Sequence, residues 1–297
     1  MTDVLVVGES LVDIVQRADG TSVEYAGGSA ANVAVALARL GRPVEFVTAY
    51  ADDERGGMLA RHLNQSAVAV VGDPHALVRT ATALATLAAD GSASYTFDID
   101  WRLNPVPRVA PVVVHTCSLG AVLAPGAADV RRLLERLRPT ATLSYDINVR
   151  PAVTGTGPDV LRAVEEVVAL ADLVKASDED LEALYPEATA DESAARLLQL
   201  GPSGVVVTRG RDGATWFHRQ GRVDAPATDV EVADTIGAGD TFGAAMLDAL
   251  WDLDVLGGRL AALEASTMEA VLRRAARAAA VTVSRPGADP PYRHELL

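Results

Sequence analysis

One cysteine, Cys117, stands in the 297 residues. An internal disulfide is thereby excluded, which suits a reducing cytoplasm. Aromatic side chains make up only 4% of the chain although hydrophobic residues reach 49%. Ala, Val and Leu must therefore fill the interior, the composition of helices laid on strands. Basic residues are scarce as well: 26 Lys and Arg face 40 Asp and Glu, for a formal charge of -14. A field of that sign repels DNA, RNA and anionic lipid surfaces, so nucleic acid is not an expected partner. It also repels a nucleotide, and any ATP site must build local positive potential from backbone amides, a metal ion or a few placed cations. No apolar run approaches the length needed to cross a bilayer, and the opening MTDVLVVGES lacks a basic region ahead of a long apolar segment. The expectation is a soluble cytoplasmic protein with no membrane partner.

What is present is a repeating order. Short apolar runs that read as buried strands start at Val4 (VLVV), Val44 (VEFVTA), Val112 (VVVH), Thr142 (TLSYD), Asp172 (DLVK) and Gly204 (GVVVTRG). Between them, Val130, Leu133, Leu134 and Leu137 recur at helical spacing, as do Leu161, Val164, Val167 and Val168. This is βαβ order, hence a doubly wound, mostly parallel sheet with helices on both faces. A chain of this length fits one such domain with a small appendage. One region breaks the pattern: RTATALATLAADGSASYTFDIDW, Arg79 to Trp101, is Thr-rich and alternating, with Asp90-Gly91 where a two-residue hairpin turn would fall. Antiparallel strands are expected there. With Leu11 to Tyr25 they form either a small β-sheet lid or an edge hairpin of the main sheet.

The polar candidates share a position, each following the end of an expected strand. Gly8 and Asp13 follow the first strand, and Ser118 follows VVVH. Asp146, Asn148 and Arg150 follow TLSY, Lys175, Ser177 and Asp180 follow DLV, and Arg209 and Gly210 follow VVVT. In an open parallel sheet these ends lie along one edge, where ligands bind. Near the C-terminus, DTIGAGDTFGAAM opens a helix marked by Phe242, Met246, Leu250 and Leu253. Unpaired amides at a helix start bind anions, and glycine lets backbone approach a phosphate closely. Asp240 falls in the first turn, either as a proton acceptor or metal partner beside an anion, or simply as a carboxylate stabilising a helix N-terminus. Near the other end, AGGSAANVAVALARLG places Gly27, Gly28 and Ser29 before a helix with Asn32 in its first turn; its amide suits the paired hydroxyls of a polyol. No G-x-x-x-x-G-K-[ST] occurs, and no dinucleotide fingerprint. His62, His75, His115, His218 and His294 are scattered without ligand spacing, so zinc is not expected. Trp101 either packs or stacks on a sugar ring, and Arg150 either meets substrate or pairs with a carboxylate.

Gly27-Gly28 with Asn32, and DTIGAGDTF, together resemble the two signatures of the ribokinase-like (PfkB) carbohydrate kinase family. The similarity extends through GESLVD at Gly8, DINVRP at Asp146, VKASDEDL at Val174, VVVTRGRDG at Val205 and SRPGA at Ser284. The resemblance implies transfer of the ATP γ-phosphoryl group to a sugar hydroxyl, with Asp240 as base and the amides of Gly237, Ala238 and Gly239 as anion hole. It implies a sugar site drawn from Asp13, Gly28, Ser29, Asn32, Ser118 and Arg150. Lys175, Ser177, Thr208, Gly210, Gly213 and Gly239 then lie along ATP. It also implies a β lid, with 11–25 and 79–101 as the lid and 1–10, 26–78 and 102–297 as the main domain. Where the family commonly has Asn and Glu near bound Mg²⁺, this chain has Ser177 and Asp180, so Asp180 is expected to act on Mg²⁺ through water. Many members bind a monovalent cation, and Asp234, Ile236, Thr282, Arg285 and Gly287 occupy the matching places for K⁺.

VKASDEDL, DINVRP and HTCSLG are most similar to the bacterial fructokinase branch, making fructose the first candidate substrate. A nucleoside or 2-keto-3-deoxygluconate kinase is the nearest alternative. From other classes come a sugar-binding protein without turnover, against which the intact Asp240 and glycines argue, and a nicotinamide oxidoreductase, disfavoured by the missing fingerprint. The exposed edges of a lid sheet would allow a homodimer through the lid.

Overall fold

Val4 and Val6 turn into one apolar cluster while Leu5 and Val7 turn into another. That split, forced by the two-residue period of a strand, divides the protein into two helical layers around one sheet. The computed structural model describes residues 4–17, 19–87 and 93–296. In chain order the strands are β1 (Val4–Val7), β2 (Leu11–Gln16), β3 (Ser22–Gly27), β4 (Val44–Val47), β5 (Ala69–Val70), β6 (Thr82–Leu87), β7 (Ala93–Asp98), β8 (Val113–Cys117), β9 (Thr142–Asp146), β10 (Leu173–Ser177), β11 (Gly204–Thr208), β12 (Ala214–His218) and β13 (Gly221–Ala225). The helices are α1 (Ser29–Arg39), α2 (Glu54–Gln65), α3 (Ser118–Val122), α4 (Gly126–Leu137), α5 (Pro151–Thr154), α6 (Pro158–Val168), α7 (Asp178–Leu184), α8 (Ala190–Gln199), α9 (Ala238–Asp252) and α10 (Ala265–Val283).

Nine strands form the main sheet in the order β13-β12-β11-β10-β9-β8-β1-β4-β5. It is parallel from β11 to β5, while β12 and β13 run antiparallel at one edge. Helices α1, α2, α9 and α10 cover the face that Val4, Val6 and Val206 occupy; α4, α6, α7 and α8 cover the face of Leu5, Val7, Val205 and Val207. The central parallel strands are mostly apolar because both their sides are buried, as parallel sheets require. From β1 the chain passes to β4 on one side and later returns to β8 on the other. The ligand crevice of such a sheet opens where those connections diverge.

The second sheet has four strands in the order β3-β2-β6-β7. It is antiparallel except for the β2–β6 pair. It is a separate small sheet, so the edge-hairpin alternative falls. The expected turn at Asp90-Gly91 lies outside the described residues. The β12–β13 hairpin was not anticipated: the βαβ rhythm masked an alternation in which Ala214 and Trp216 turn inward to the α10 side. Trp101 does not stack toward a ligand. It is buried in the core, its indole Nε1 donating to the Gly120 carbonyl at 3.0 Å, so the packing alternative holds because an indole in that cavity has its one polar atom satisfied.

Candidate active site

The C-terminal ends of β11, β10, β9, β8, β1 and β4 lie side by side, which brings the candidate residues to one sheet edge. Facing them, the N-termini of α1 and α9 meet. Neither helix has a side-chain cap: α1 starts after Gly28 at φ 101° and α9 after Gly237 at φ 74°. Both are positions where an L side chain is strained. A Cβ at Gly28 would lie 2.8 Å from the Glu9 carbonyl, and one at Gly237 would lie 2.7 Å from the Ala288 Cβ. Each glycine thus lets a helix start press against a neighbouring backbone.

Asp240 is the third residue of α9 and is buried. At that position a carboxylate often reaches back to cap its own helix. Here it turns away. Oδ1 accepts from the Ser29 hydroxyl at 2.6 Å and Oδ2 from the Asn32 amide at 2.8 Å, both on α1. The amide of Ala238 closes a turn on the Thr235 carbonyl at 3.3 Å, and the first intrahelical bond runs from Thr241 to the Gly237 carbonyl. Of the three amides proposed for an anion, those of Gly237, Ala238 and Gly239, Ala238 is therefore engaged, while among the described residues Gly237 and Gly239, and Asp240 after them, have amides that meet no backbone acceptor.

Behind the glycines sits a buried ion pair. Lys175 Nζ donates to Asp146 Oδ2 at 2.8 Å, and a Cβ on Gly239 would lie 3.3 Å from that ammonium. Burial pulls the ammonium down, but Asp146, Asp180 and Asp240 outweigh it and hold Lys175 above its ordinary value. Lys175 thus lends fixed positive charge to the glycine loop from behind, within an acidic protein.

Asp13 projects from β2 of the small sheet, close to Gly27, where a Cβ would meet its Oδ2 at 2.2 Å. Burial raises its carboxyl to about 6 against the pull of Arg150. Glu9, which the motif reading passed over, is buried against Gly28 and Gly120. Its Oε2 accepts from the Gly120 amide at 2.7 Å, and burial pushes it up to about 7. Nothing in GES beyond its place after a strand signals that role. Ser118 has φ 49° and its hydroxyl donates to the Asn148 carbonyl at 3.0 Å, so its proton is committed to the protein. Among the described residues Arg150 has no carboxylate partner within ion-pair distance; it donates to Asn148 Oδ1 at 2.6 Å and influences both Glu9 and Asp13.

At the ends of β10 and β11, Ser177 caps α7 in a reciprocal capping box with Asp180. Asp180 Oδ2 accepts from the Ser177 amide and Oδ1 from the Val149 amide, each at 2.7 Å. Both carboxylate oxygens are thus already committed to the backbone. Thr208 ends β11, Gly210 at φ 49° opens onto free space, and Gly213 at φ 91° packs against β13, where a Cβ would lie 2.2 Å from the Ala225 carbonyl. Gly213 is a glycine for packing. Asp234 accepts from the Ile236 and Gly287 amides at 3.0 and 2.9 Å, tying the two loops that flank Gly237. The Thr282 and Gly287 carbonyls accept from Arg285 and Asp289 amides, and the Arg285 side chain pairs with Glu295 and Asp289. Among the described residues no cluster of three His, Cys, Asp or Glu is placed to hold a metal. His115 is a core residue, held by burial at about 3 and bonded to Ser144.

Residues 1–295 match the pfkB family carbohydrate kinase pattern. The chain belongs to that family. It is 33% identical over 261 residues to a fructokinase of Rhizobium leguminosarum bv. trifolii, spanning 83% of this chain and 79% of the relative. Its fold superposes on the ATP-bound fructokinase of Xylella fastidiosa with a TM-score of 0.86 at 28% identity, covering 100% of this chain and 98% of the other. A fructokinase double mutant of Vibrio cholerae O395, bound to fructose, ADP and potassium, matches with a TM-score of 0.79 at 25% identity over 97% and 94% of the two chains. This carbohydrate kinase therefore carries the fold in which the paired glycine signatures face each other. No helix among the described residues is long and apolar enough to cross a membrane.

Proposed function

We propose that the protein transfers the γ-phosphoryl group of ATP to a hydroxyl of a small sugar, fructose or a related hexose, with Asp240 as general base, in the cytoplasm. The observation that carries this reading is the orientation of Asp240. A carboxylate at the third position of α9 faces α1 instead of capping its own helix, and leaves two unpaired amides beside it. A cap would gain nothing from that arrangement; a base next to a phosphate site needs it. The acceptor hydroxyl meets Oδ2, the oxygen shared with Asn32, while Asp13 and Arg150 flank the sugar. As the hydroxyl oxygen bonds to phosphorus, its proton passes to Asp240, the bond to the bridging oxygen breaks, and ADP leaves with the electron pair. The Gly239 and Asp240 amides, with Lys175 behind them, stabilise the charge gathering on the transferred group. Ser177, Thr208 and Gly210 border the nucleotide.

Mg²⁺ neutralises phosphate charge when it accompanies ATP. With both Asp180 oxygens accepting from amides, Asp180 would hold that ion through water. K⁺ fits the carbonyls of Ile236, Thr282, Arg285 and Gly287 around Asp234, against the Gly237 turn, and a cation there would steady the loop. Potassium accompanies the Vibrio fructokinase. The four-stranded sheet, with lid bounds 11–25 and 79–101, closes over the sugar, excluding water in favour of the substrate hydroxyl. Its edge strands β3 and β7 expose Tyr25 and Tyr95, a surface on which a second copy can pair. A strictly monomeric mass by light scattering would remove that last element.

The test is ATP consumption across a panel of sugars, sugar acids and nucleosides, with and without KCl. Fructose or another ketohexose should give the highest kcat/KM, and K⁺ should raise it. A higher kcat/KM for adenosine or 2-keto-3-deoxygluconate than for every sugar would reassign the substrate, and no turnover with any acceptor would favour a binding protein.

A further inference from the structure

Ser29 was expected to hold sugar, yet its hydroxyl proton is already committed within the protein. Its one proton goes to Asp240 Oδ1 at 2.6 Å, and its oxygen accepts from Asn148 Nδ2 at 2.8 Å. Asn148 Oδ1 in turn accepts from Arg150 at 2.6 Å. The direction of this chain is fixed at one end. A guanidinium has no acceptor, so Arg150 must meet the amide oxygen; the amide nitrogen is then left to Ser29, and Ser29, having accepted, must donate to the carboxylate. Every proton points from the cation toward the base.

We infer that Ser29 and Asn148 are positioning residues that anchor Asp240 Oδ1, leaving Oδ2 as the oxygen that takes the substrate proton. This rests on the proposed role of Asp240 as base. Three features support it. Asp240 heads a helix whose own amides would otherwise compete for the carboxylate, and Ser29 holds it off them. Bonds in a directed series polarise one another and strengthen toward the charged end. Asn148 occupies φ 40°, a conformation that side chains other than Asn, Asp and Gly seldom adopt, and it is held there by the bond from Ser118 to its carbonyl. Strain at a position that delivers a side chain to a buried carboxylate points to function rather than packing. The anchoring also separates tasks on one carboxylate: Oδ1 sets its orientation, and Oδ2 exchanges the Asn32 amide for the sugar hydroxyl.

The test is a double-mutant cycle read in kcat and KM. Ser29→Ala should lower kcat by about ten- to a hundredfold, the worth of a hydrogen bond to a charged group, with the sugar KM within about twofold. Ser29→Thr, which returns a hydroxyl, should recover most of that loss. Asn148→Gly keeps the backbone conformation but removes the amide; it should lower kcat less, and add nothing in the Ser29→Ala background because it acts through Ser29. If Ser29→Ala does not fold, a lowered kcat at unchanged KM in Asn148→Gly decides in favour. A raised sugar KM at unchanged kcat would make Ser29 a substrate ligand after all, and additive losses would break the relay. Unchanged kinetics in Ser29→Ala, with an active wild type, would also overturn it. A wild type inactive on every acceptor overturns the proposed function, and this inference with it.

Discussion

Helix α9 carries two buried aspartates eight residues apart, and the protein treats them oppositely. Asp240, at the cleft end, is 7% exposed and meets only neutral donors, the Ser29 hydroxyl and the Asn32 amide. Asp248, two turns further, is 0% exposed and is gripped by three guanidinium groups, those of Arg42 at 2.6 Å, Arg293 at 2.5 Å and Arg274. Asp252 shares the same three arginines, and the Arg42 guanidinium also lies over the Trp251 ring, 5.3 Å from its centroid. Three cations lock Asp248 into place and tie α9 to the chain around Arg42, Arg274 and Arg293. Asp240 is oriented by neutral donors alone. The same residue type on the same helix meets opposite surroundings at its two ends because its neighbours differ in charge.

The comparison can be broken at the Asp248 end first. Asp248→Ala leaves three arginines facing one another with only Asp252 between them, and removing one partner of a buried ion cluster is strongly destabilising. Since Arg274 and Arg293 keep some solvent, a loss of about 3 kcal/mol is expected, at the low end for such sites. Urea unfolding should register it, while kcat per folded molecule stays near wild type because α9 still presents Asp240. A kcat falling in step with Asp240 variants would erase the distinction between the two ends.

A smaller effect sharpens the cleft end. Glu9 is raised by burial to about 7 from an ordinary 4.5, so the folded state binds its proton more tightly than the unfolded chain does between those values. Stability from this group is therefore greatest below about pH 4.5 and declines as pH rises toward 7, by up to roughly 3 kcal/mol. Asp240 and Arg150 face this carboxylate with opposing signs, and the Gly120 amide bonds it. Glu9→Gln keeps an acceptor for Gly120 and cannot ionise, so its unfolding free energy should lose that slope between pH 5 and 7. An unchanged slope would remove Glu9 as its source.

Much of this was legible before the fold. Apolar runs bounded by polar residues gave the parallel strands, and the accumulation of Asp146, Lys175, Ser177 and Arg209 at strand ends placed them on one edge, since a period-two strand leaves little choice. The helix start at Gly237 followed from glycine spacing and the Phe242 to Leu253 periodicity. Side-chain direction was not legible. Ser29 and Asn148 are 119 residues apart and meet only because α1 and β9 converge. Trp101 turned inward, Gly213 lies against the Ala225 carbonyl, and Ser177 and Asp180 cap each other. Each was placed in the right neighbourhood by its strand, and its partner was set by packing that no local pattern encodes.

The central claim is that Asp240 accepts the proton of the attacking hydroxyl. Asp240→Asn keeps the shape and the helix position while removing basicity, and Asn serves as well as Asp where only a cap is needed. The measurement is kcat with fructose, taken with the ATP dissociation constant on the same preparation. A fall of about 10²- to 10⁴-fold, or roughly 3 to 5 kcal/mol of barrier, with ATP affinity preserved, is the predicted result. A loss of less than about tenfold, with ATP still bound, would contradict it and leave Asp240 a structural carboxylate like Asp248.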